Sequence, residues 1–80
     1  MDLRQIEYIV AIEQEQSISK AAEKLYLTQS ALNQQLLRLE KELGTPLFER
    51  RKHMASRVAN EIALKYDLQN HQRHHRRKRR

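Results

Sequence analysis

Between Thr28 and Arg38 the chain concentrates side chains with paired hydrogen-bonding groups: Gln29, Ser30, Asn33, Gln34 and Arg38. A carboxamide presents a donor beside an acceptor, which matches the edge of adenine in the major groove of duplex DNA, and a guanidinium matches guanine. The same run also fits the solvated face of a surface helix. A second cluster, Arg50, Arg51, Lys52 and Arg57, suits phosphate neutralisation and equally suits an ordinary charged loop. Leu37 is the odd member of the polar run. Core packing under the following loop is expected for it, with contact to a thymine methyl as the alternative.

No enzyme constellation accompanies these residues. Glu40 and Glu42 are two apart, so on a helix they face different ways. The single glycine, Gly44, excludes a glycine-rich phosphate loop. Nothing local in the sequence pairs Ser30 or Ser56 with a histidine as nucleophile and base. There is no cysteine, hence no disulfide or thiolate metal site. His71, His74 and His75 could share a helical face, but no acid or thiol joins them, so adventitious metal binding alone is expected. No cofactor is implied.

The elements that must position Gln29 to Arg38 follow from caps and periodicity. Asp2 can cap a first helix, with Gln5 reaching back as in a capping box. Leu3, Ile6, Ile9, Val10 and Ile12 then recur at helical spacing, and the helix should end near Glu15 or Gln16. Ser17 caps a second helix with Ile18, Ala21, Ala22 and Leu25 on one face, the alanines permitting close approach of a neighbour. Thr28 caps a third. Leu32, Leu36, Leu39 and Leu43 form its buried stripe, and Gly44 stands where a left-handed cap ends it, with Pro46 beyond. A short helix, a break and a longer helix with an amide-rich outer face make a helix-turn-helix pattern. Residues 46–58 read as an extended excursion anchored by Leu47 and Phe48. Residues 55–69 return to helical spacing through Val58, Ala59, Ile62, Ala63 and Tyr66.

Eighty residues make one small domain. The net charge of +6 belongs to the end of the chain, where residues 71–80 hold Arg73, Arg76, Arg77, Lys78, Arg79 and Arg80 and no acid. The rest is charge-balanced, so overall basicity says little about the folded part. Residues 70–80 are expected to form a disordered basic tail. No apolar run reaches the roughly 20 residues needed to cross a bilayer, so no membrane partner is expected. The N-terminus lacks the pattern of a signal peptide.

Residues 1–54 resemble the N-terminal DNA-binding domain of LysR-type bacterial transcriptional regulators. The resemblance is carried by Met1-Asp2-Leu3-Arg4-Gln5-Ile6, Ser17-Ile18-Ser19-Lys20-Ala21-Ala22-Glu23-Lys24-Leu25, Thr28-Gln29-Ser30-Ala31-Leu32 and Leu39-Glu40-Lys41-Glu42-Leu43-Gly44-Thr45-Pro46-Leu47-Phe48-Glu49-Arg50. It implies a mainly α, winged helix-turn-helix fold: a three-helix core, a short β-wing after Phe48, then a further helix. It also implies contacts to bases and phosphates from Thr28, Gln29, Ser30, Asn33, Gln34 and Arg38, with wing contacts from Arg50, Arg51 and Lys52. Ser30, Asn33 and Gln34 depart from the family's frequent Pro, Ser and Arg. After Met54 the match fades: Ala55-Ser56-Arg57-Val58 replaces the expected wing strand, and no effector-binding domain follows. The last third is therefore expected to be frame-shifted, truncated or engineered rather than inherited.

The function expected is sequence-preferring binding of double-stranded DNA by a cytoplasmic bacterial regulator domain without an effector site. Residues 55–69 offer a stripe for a homodimer or for packing back on the domain. Two alternatives stand beside this reading. One is an interaction protein that pairs with full-length regulators through residues 55–69. The other is a non-specific polyanion binder acting through the tail.

Overall fold

Three side-chain caps set where the first helices begin. In the computed structural model, which describes residues 1–69, the Asp2 carboxylate accepts the Gln5 N–H at 2.9 Å while the Gln5 side chain accepts the Asp2 N–H at 3.0 Å. This capping box starts α1 (Leu3–Glu15). Ser17 Oγ accepts the Lys20 N–H at 3.1 Å and starts α2 (Ile18–Leu25). Thr28 Oγ1 accepts the Ala31 N–H at 3.0 Å and starts α3 (Gln29–Leu43). Each cap satisfies a donor that the first turn of a helix leaves unpaired. The basic tail and the His71, His74, His75 group lie outside the described residues.

Each of the three helices stops at a left-handed residue: Gln16 (φ 52°), Tyr26 (φ 60°) and Gly44 (φ 75°). Only the last is a glycine. A Cβ built on Gly44 meets nothing within 4 Å, so alanine there is opposed by backbone strain alone. Gly44→Ala should destabilise the domain by about 1 kcal/mol in urea unfolding. An unchanged midpoint would show that the turn into the wing is not held in this conformation.

After Gly44 the chain forms a short hairpin, β1 (Phe48–Glu49) antiparallel to β2 (Met54–Ala55), with Phe48 opposite Ala55 and Glu49 opposite Met54. The Ser56 N–H donates to the Leu47 carbonyl at 2.9 Å and extends the pairing by one bond. His53, at φ 52°, makes the left-handed step that closes the loop. Ala55, where loss of the wing strand is expected from sequence, instead pairs with Phe48 and completes the wing. Ser56 is buried, donates to the Pro46 carbonyl at 2.8 Å, and accepts the Ala59 N–H at 3.3 Å at the start of α4 (Arg57–Gln69).

The core gathers Ile9, Ala11 and Ile12 of α1, Ala21 and Ala22 of α2, and Leu32, Leu36 and Leu39 of α3. Leu47, Phe48 and Ala55 of the hairpin and Ala59 of α4 complete it. The two alanines of α2 are fully buried, as close helix approach requires. Helix α4 lies along α1, with Ala59 and Ala63 buried and Val58 and Ile62 half-buried. Part of that stripe thus packs back on the domain.

Three apolar expectations need correction. Leu3, in the first turn of α1, is exposed, and no element among the described residues covers it. Leu43, the last residue of the leucine stripe, is 40% exposed where the chain turns away at Gly44. Leu37 is 49% exposed rather than packed in the core. At about 100° per residue it lies roughly 130° from the centre of the stripe, and the wing attaches to a different flank of the helix.

Candidate nucleic-acid interface

Helix α3 divides into two working surfaces. Leu32, Leu36 and Leu39 are buried, so the helix cannot rotate about its axis without exposing them. That constraint turns Ser30, Gln34 and Arg38 outward, all exposed, with Leu37 between them. Gln29 and Thr28 are exposed at the helix start. Thr28 spends one lone pair on its cap and keeps its hydroxyl proton for an outside acceptor. Free N–H groups at this helix start favour an approaching phosphate.

Helix α2 reaches α3 through a tight turn. The Tyr26 N–H donates to the Glu23 carbonyl at 3.1 Å and the Leu27 N–H to the Ala22 carbonyl at 2.9 Å. Leu27 is half-buried against the core, whereas Tyr26 is 95% exposed. The turn thus fixes the start of α3 against α2 with one apolar side chain and two backbone bonds.

The wing is fixed by a residue that sequence reading passed over as a non-catalytic acid. Glu40 Oε2 accepts the Leu47 N–H at 2.7 Å and the Phe48 N–H at 3.2 Å. A carboxylate taking two backbone donors makes charge-assisted bonds, which are stronger than neutral ones. A second tie comes from Gln16, whose Oε1 accepts the Ala55 N–H at 2.8 Å across 39 residues of chain. The clue to Glu40 in the sequence was its place on the flank of α3 facing the chain after Gly44. Gln16 gave no such clue.

Arg50 is turned inward along the same flank. Its Nη2 donates to Asn33 Oδ1 at 2.9 Å, its Nη1 donates to the Phe48 carbonyl at 3.3 Å, and Nη1 lies 3.5 Å from both Glu40 oxygens. Arg51 and Lys52 point into solvent at the wing tip, where Lys52 lies 3.8 Å from Glu49. An exposed pair of that kind holds little, about 0–1 kcal/mol, so Lys52 can exchange it for another anion.

These elements enclose an open concavity of about 630 Å³. Ser17, Ile18 and Ser19 of α2 form one side, Gln29, Ser30 and Asn33 of α3 the floor, and Phe48, Arg50 and His53 of the wing the other side. The lining joins the hydroxyls of Ser17, Ser19 and Ser30, the carboxamides of Gln29 and Asn33 and the Arg50 guanidinium to the apolar Ile18 and Phe48. Sequence reading placed Gln29, Ser30, Asn33 and Arg50 here and missed Ser17, Ser19 and His53. Thr28, Gln34, Arg38, Arg51 and Lys52 do not line it.

A reading helix held by a tight turn, with a two-stranded hairpin fixed beside it, defines a winged helix-turn-helix domain. Comparison with known proteins gives the family. The model of the bacterial regulatory helix-turn-helix proteins of the lysR family matches residues 3–59, and the chain belongs to that family. The match runs five residues past Met54, through the second wing strand and into α4.

The chain is 52% identical over 64 residues to the transcriptional regulator BsdA of Bacillus subtilis, covering 80% of this chain and 22% of BsdA. It is 50% identical over 50 residues to BenM of Acinetobacter baylyi, covering 62% of this chain and 16% of BenM. The chain thus spans less than a quarter of the length of either regulator. The solved BenM DNA-binding domain in complex with benA site 1 DNA superposes with a TM-score of 0.73 at 36% identity, over 99% of this chain and 94% of that one. The DNA complex of the CbnR DNA-binding domain gives 0.72 at 25% identity, over 99% and 95%.

Proposed function

We propose that this chain binds double-stranded DNA with sequence preference, as the DNA-reading domain of a transcriptional regulator. The observation that carries the reading is the outward face of α3: exposed Gln29, Ser30 and Gln34 with half-buried Asn33, on a helix locked by its leucines and bordered by a wing. The likeness to domains solved on DNA supports it. In this reading Gln29, Asn33 and Gln34 meet base edges in the major groove. Thr28, Ser30 and Arg38 set register on phosphates, and Arg51 and Lys52 reach the flanking backbone from the wing tip. Arg50 also faces the groove, but it acts first by holding Asn33.

Pairing of two copies belongs to the same proposal. Ala59 and Ala63 of α4 are buried on the domain, while half-buried Val58 and Ile62 and exposed Leu64 remain available to a homodimer through residues 55–69. No helix among the described residues is long and apolar enough to cross a membrane.

Selection from a random duplex pool at near-physiological salt tests the reading. A recurrent motif is the expected outcome, and Gln29→Ala should then bind its matched site about 5- to 150-fold more weakly, the equivalent of about 1–3 kcal/mol. Binding to random duplex should hardly change. Equal losses on both duplexes would count against base reading by Gln29.

A further inference from the structure

We infer that Arg50 orients the carboxamide of Asn33 so that Asn33 reads base acceptors, which makes the pair a specificity determinant. The inference rests on α3 being the base-contacting helix.

A guanidinium has donors only. The Asn33 atom 2.9 Å from Arg50 Nη2 is therefore the carbonyl oxygen, and chemistry alone settles which way the amide faces. Arg50 is itself held, by the Phe48 carbonyl at 3.3 Å and by Glu40 at 3.5 Å. Glu40 is tied to the Leu47 and Phe48 N–H groups. The wing, the acid and the guanidinium thus act on one carboxamide at the floor of the concavity.

The consequence is a change in what Asn33 offers. A free asparagine presents oxygen and nitrogen together and suits adenine, which has an N7 acceptor beside an N6 donor. With its oxygen drawn toward Arg50 and one of that oxygen's two lone pairs spent there, Asn33 leads with the two donors of Nδ2. Guanine offers N7 and O6 as acceptors, and thymine offers O4. Cytosine offers only an amino donor, which would face another donor, and adenine keeps its amino group without a partner. Leaving a donor unpaired in a closed interface is unfavourable. The pair therefore selects guanine or thymine over cytosine at its step, and disfavours adenine relative to an untethered asparagine.

The test uses the full chain, as wild type, Asn33→Asp and Arg50→Met, each selected on random duplex and then assayed on the four bases at the position that responds to Asn33. Wild type should favour guanine or thymine over cytosine by about tenfold. Asn33→Asp keeps an oxygen for Arg50 and replaces the outward amino group with an acceptor, so preference should move to cytosine or adenine at that step, with weaker binding throughout. Arg50→Met should free the carboxamide and raise the preference for adenine. If Arg50→Met loses its helical circular dichroism, Asn33→Asp decides. A wild-type preference for adenine there, or a motif that neither variant alters, would overturn the inference and leave base reading by α3 standing. No motif from wild type would overturn base reading and the inference together.

Discussion

Leu36→Ala should leave the chain largely unfolded at 25 °C or close to it. Leu36 is fully buried at the centre of the α3 stripe, with Leu32 and Leu39 on either side and the α1 isoleucines in the same core. Deleting a fully buried leucine side chain costs about 2–5 kcal/mol, the upper part of that range applying where neighbours cannot collapse into the gap. Here they are held by helices fixed at both ends by caps, so collapse is restricted. A domain of this size has roughly 4–12 kcal/mol to lose. Urea unfolding followed by circular dichroism measures the loss. A change below about 1 kcal/mol would mean that α3 does not seat on this core, and the outward direction of Gln29 and Gln34 would lose its basis. Leu37→Ala is the matched control, since its half-exposed side chain should cost well under 1 kcal/mol.

The second large effect is expected at Glu40. Its carboxylate joins α3 to the wing through two backbone N–H groups, at 2.7 and 3.2 Å, and its side chain is only 12% exposed. Glu40→Ala should cost about 2–3 kcal/mol, because hydrogen bonds to a charged group are worth more than neutral ones and the freed donors are partly shielded from water. Glu40→Gln retains a carbonyl oxygen for one of them and should cost about half as much.

The ion pair with Arg50 is not the source of this effect. At 3.5 Å, with the arginine side chain 40% exposed, it contributes no more than about 1 kcal/mol. Arg50→Ala should therefore be milder than Glu40→Ala, and that order separates the two explanations. Hydrogen exchange gives a local readout: the Leu47 and Phe48 amides should lose protection in Glu40→Ala while those in the middle of α3 keep theirs. If Arg50→Ala proves the more harmful, the ion pair rather than the backbone anchor holds the wing.

DNA binding should respond to these two changes differently. Leu36→Ala removes binding by removing the fold. Glu40→Ala leaves the helix-turn-helix intact and loosens the wing, so Arg51 and Lys52 lose their fixed position and Arg50 loses one of its holds on Asn33. A weaker and less discriminating binder is the expected phenotype.

Much of the fold was legible because the signals are local. Asp2, Ser17 and Thr28 each cap a donor three residues away, and Gly44 relieves strain at its own φ. The α3 stripe repeats every three or four residues, so its buried face follows from helical geometry. The family motifs from Ala21 to Arg50 carried the wing and the candidate base contacts in the same way. What lay beyond local reading were bonds between distant residues: Gln16 to the Ala55 N–H across 39 positions, Arg50 to Asn33 across 17, and Glu40 to the Leu47 N–H across a turn. Leu37 was misread because its environment depends on where the wing attaches, and Glu40 draws the wing to another flank.

The sequence by itself determined where the helices begin and end, which face of α3 is buried, and that carboxamides occupy the other face. Caps, periodicity and side-chain chemistry act within a few residues, and no other part of the chain has to be placed first. Tertiary structure alone decided that α4 lies along α1 with Ala59 and Ala63 buried. It also decided that Arg50 holds Asn33, because each of those choices is a competition among partners that only the folded chain brings together.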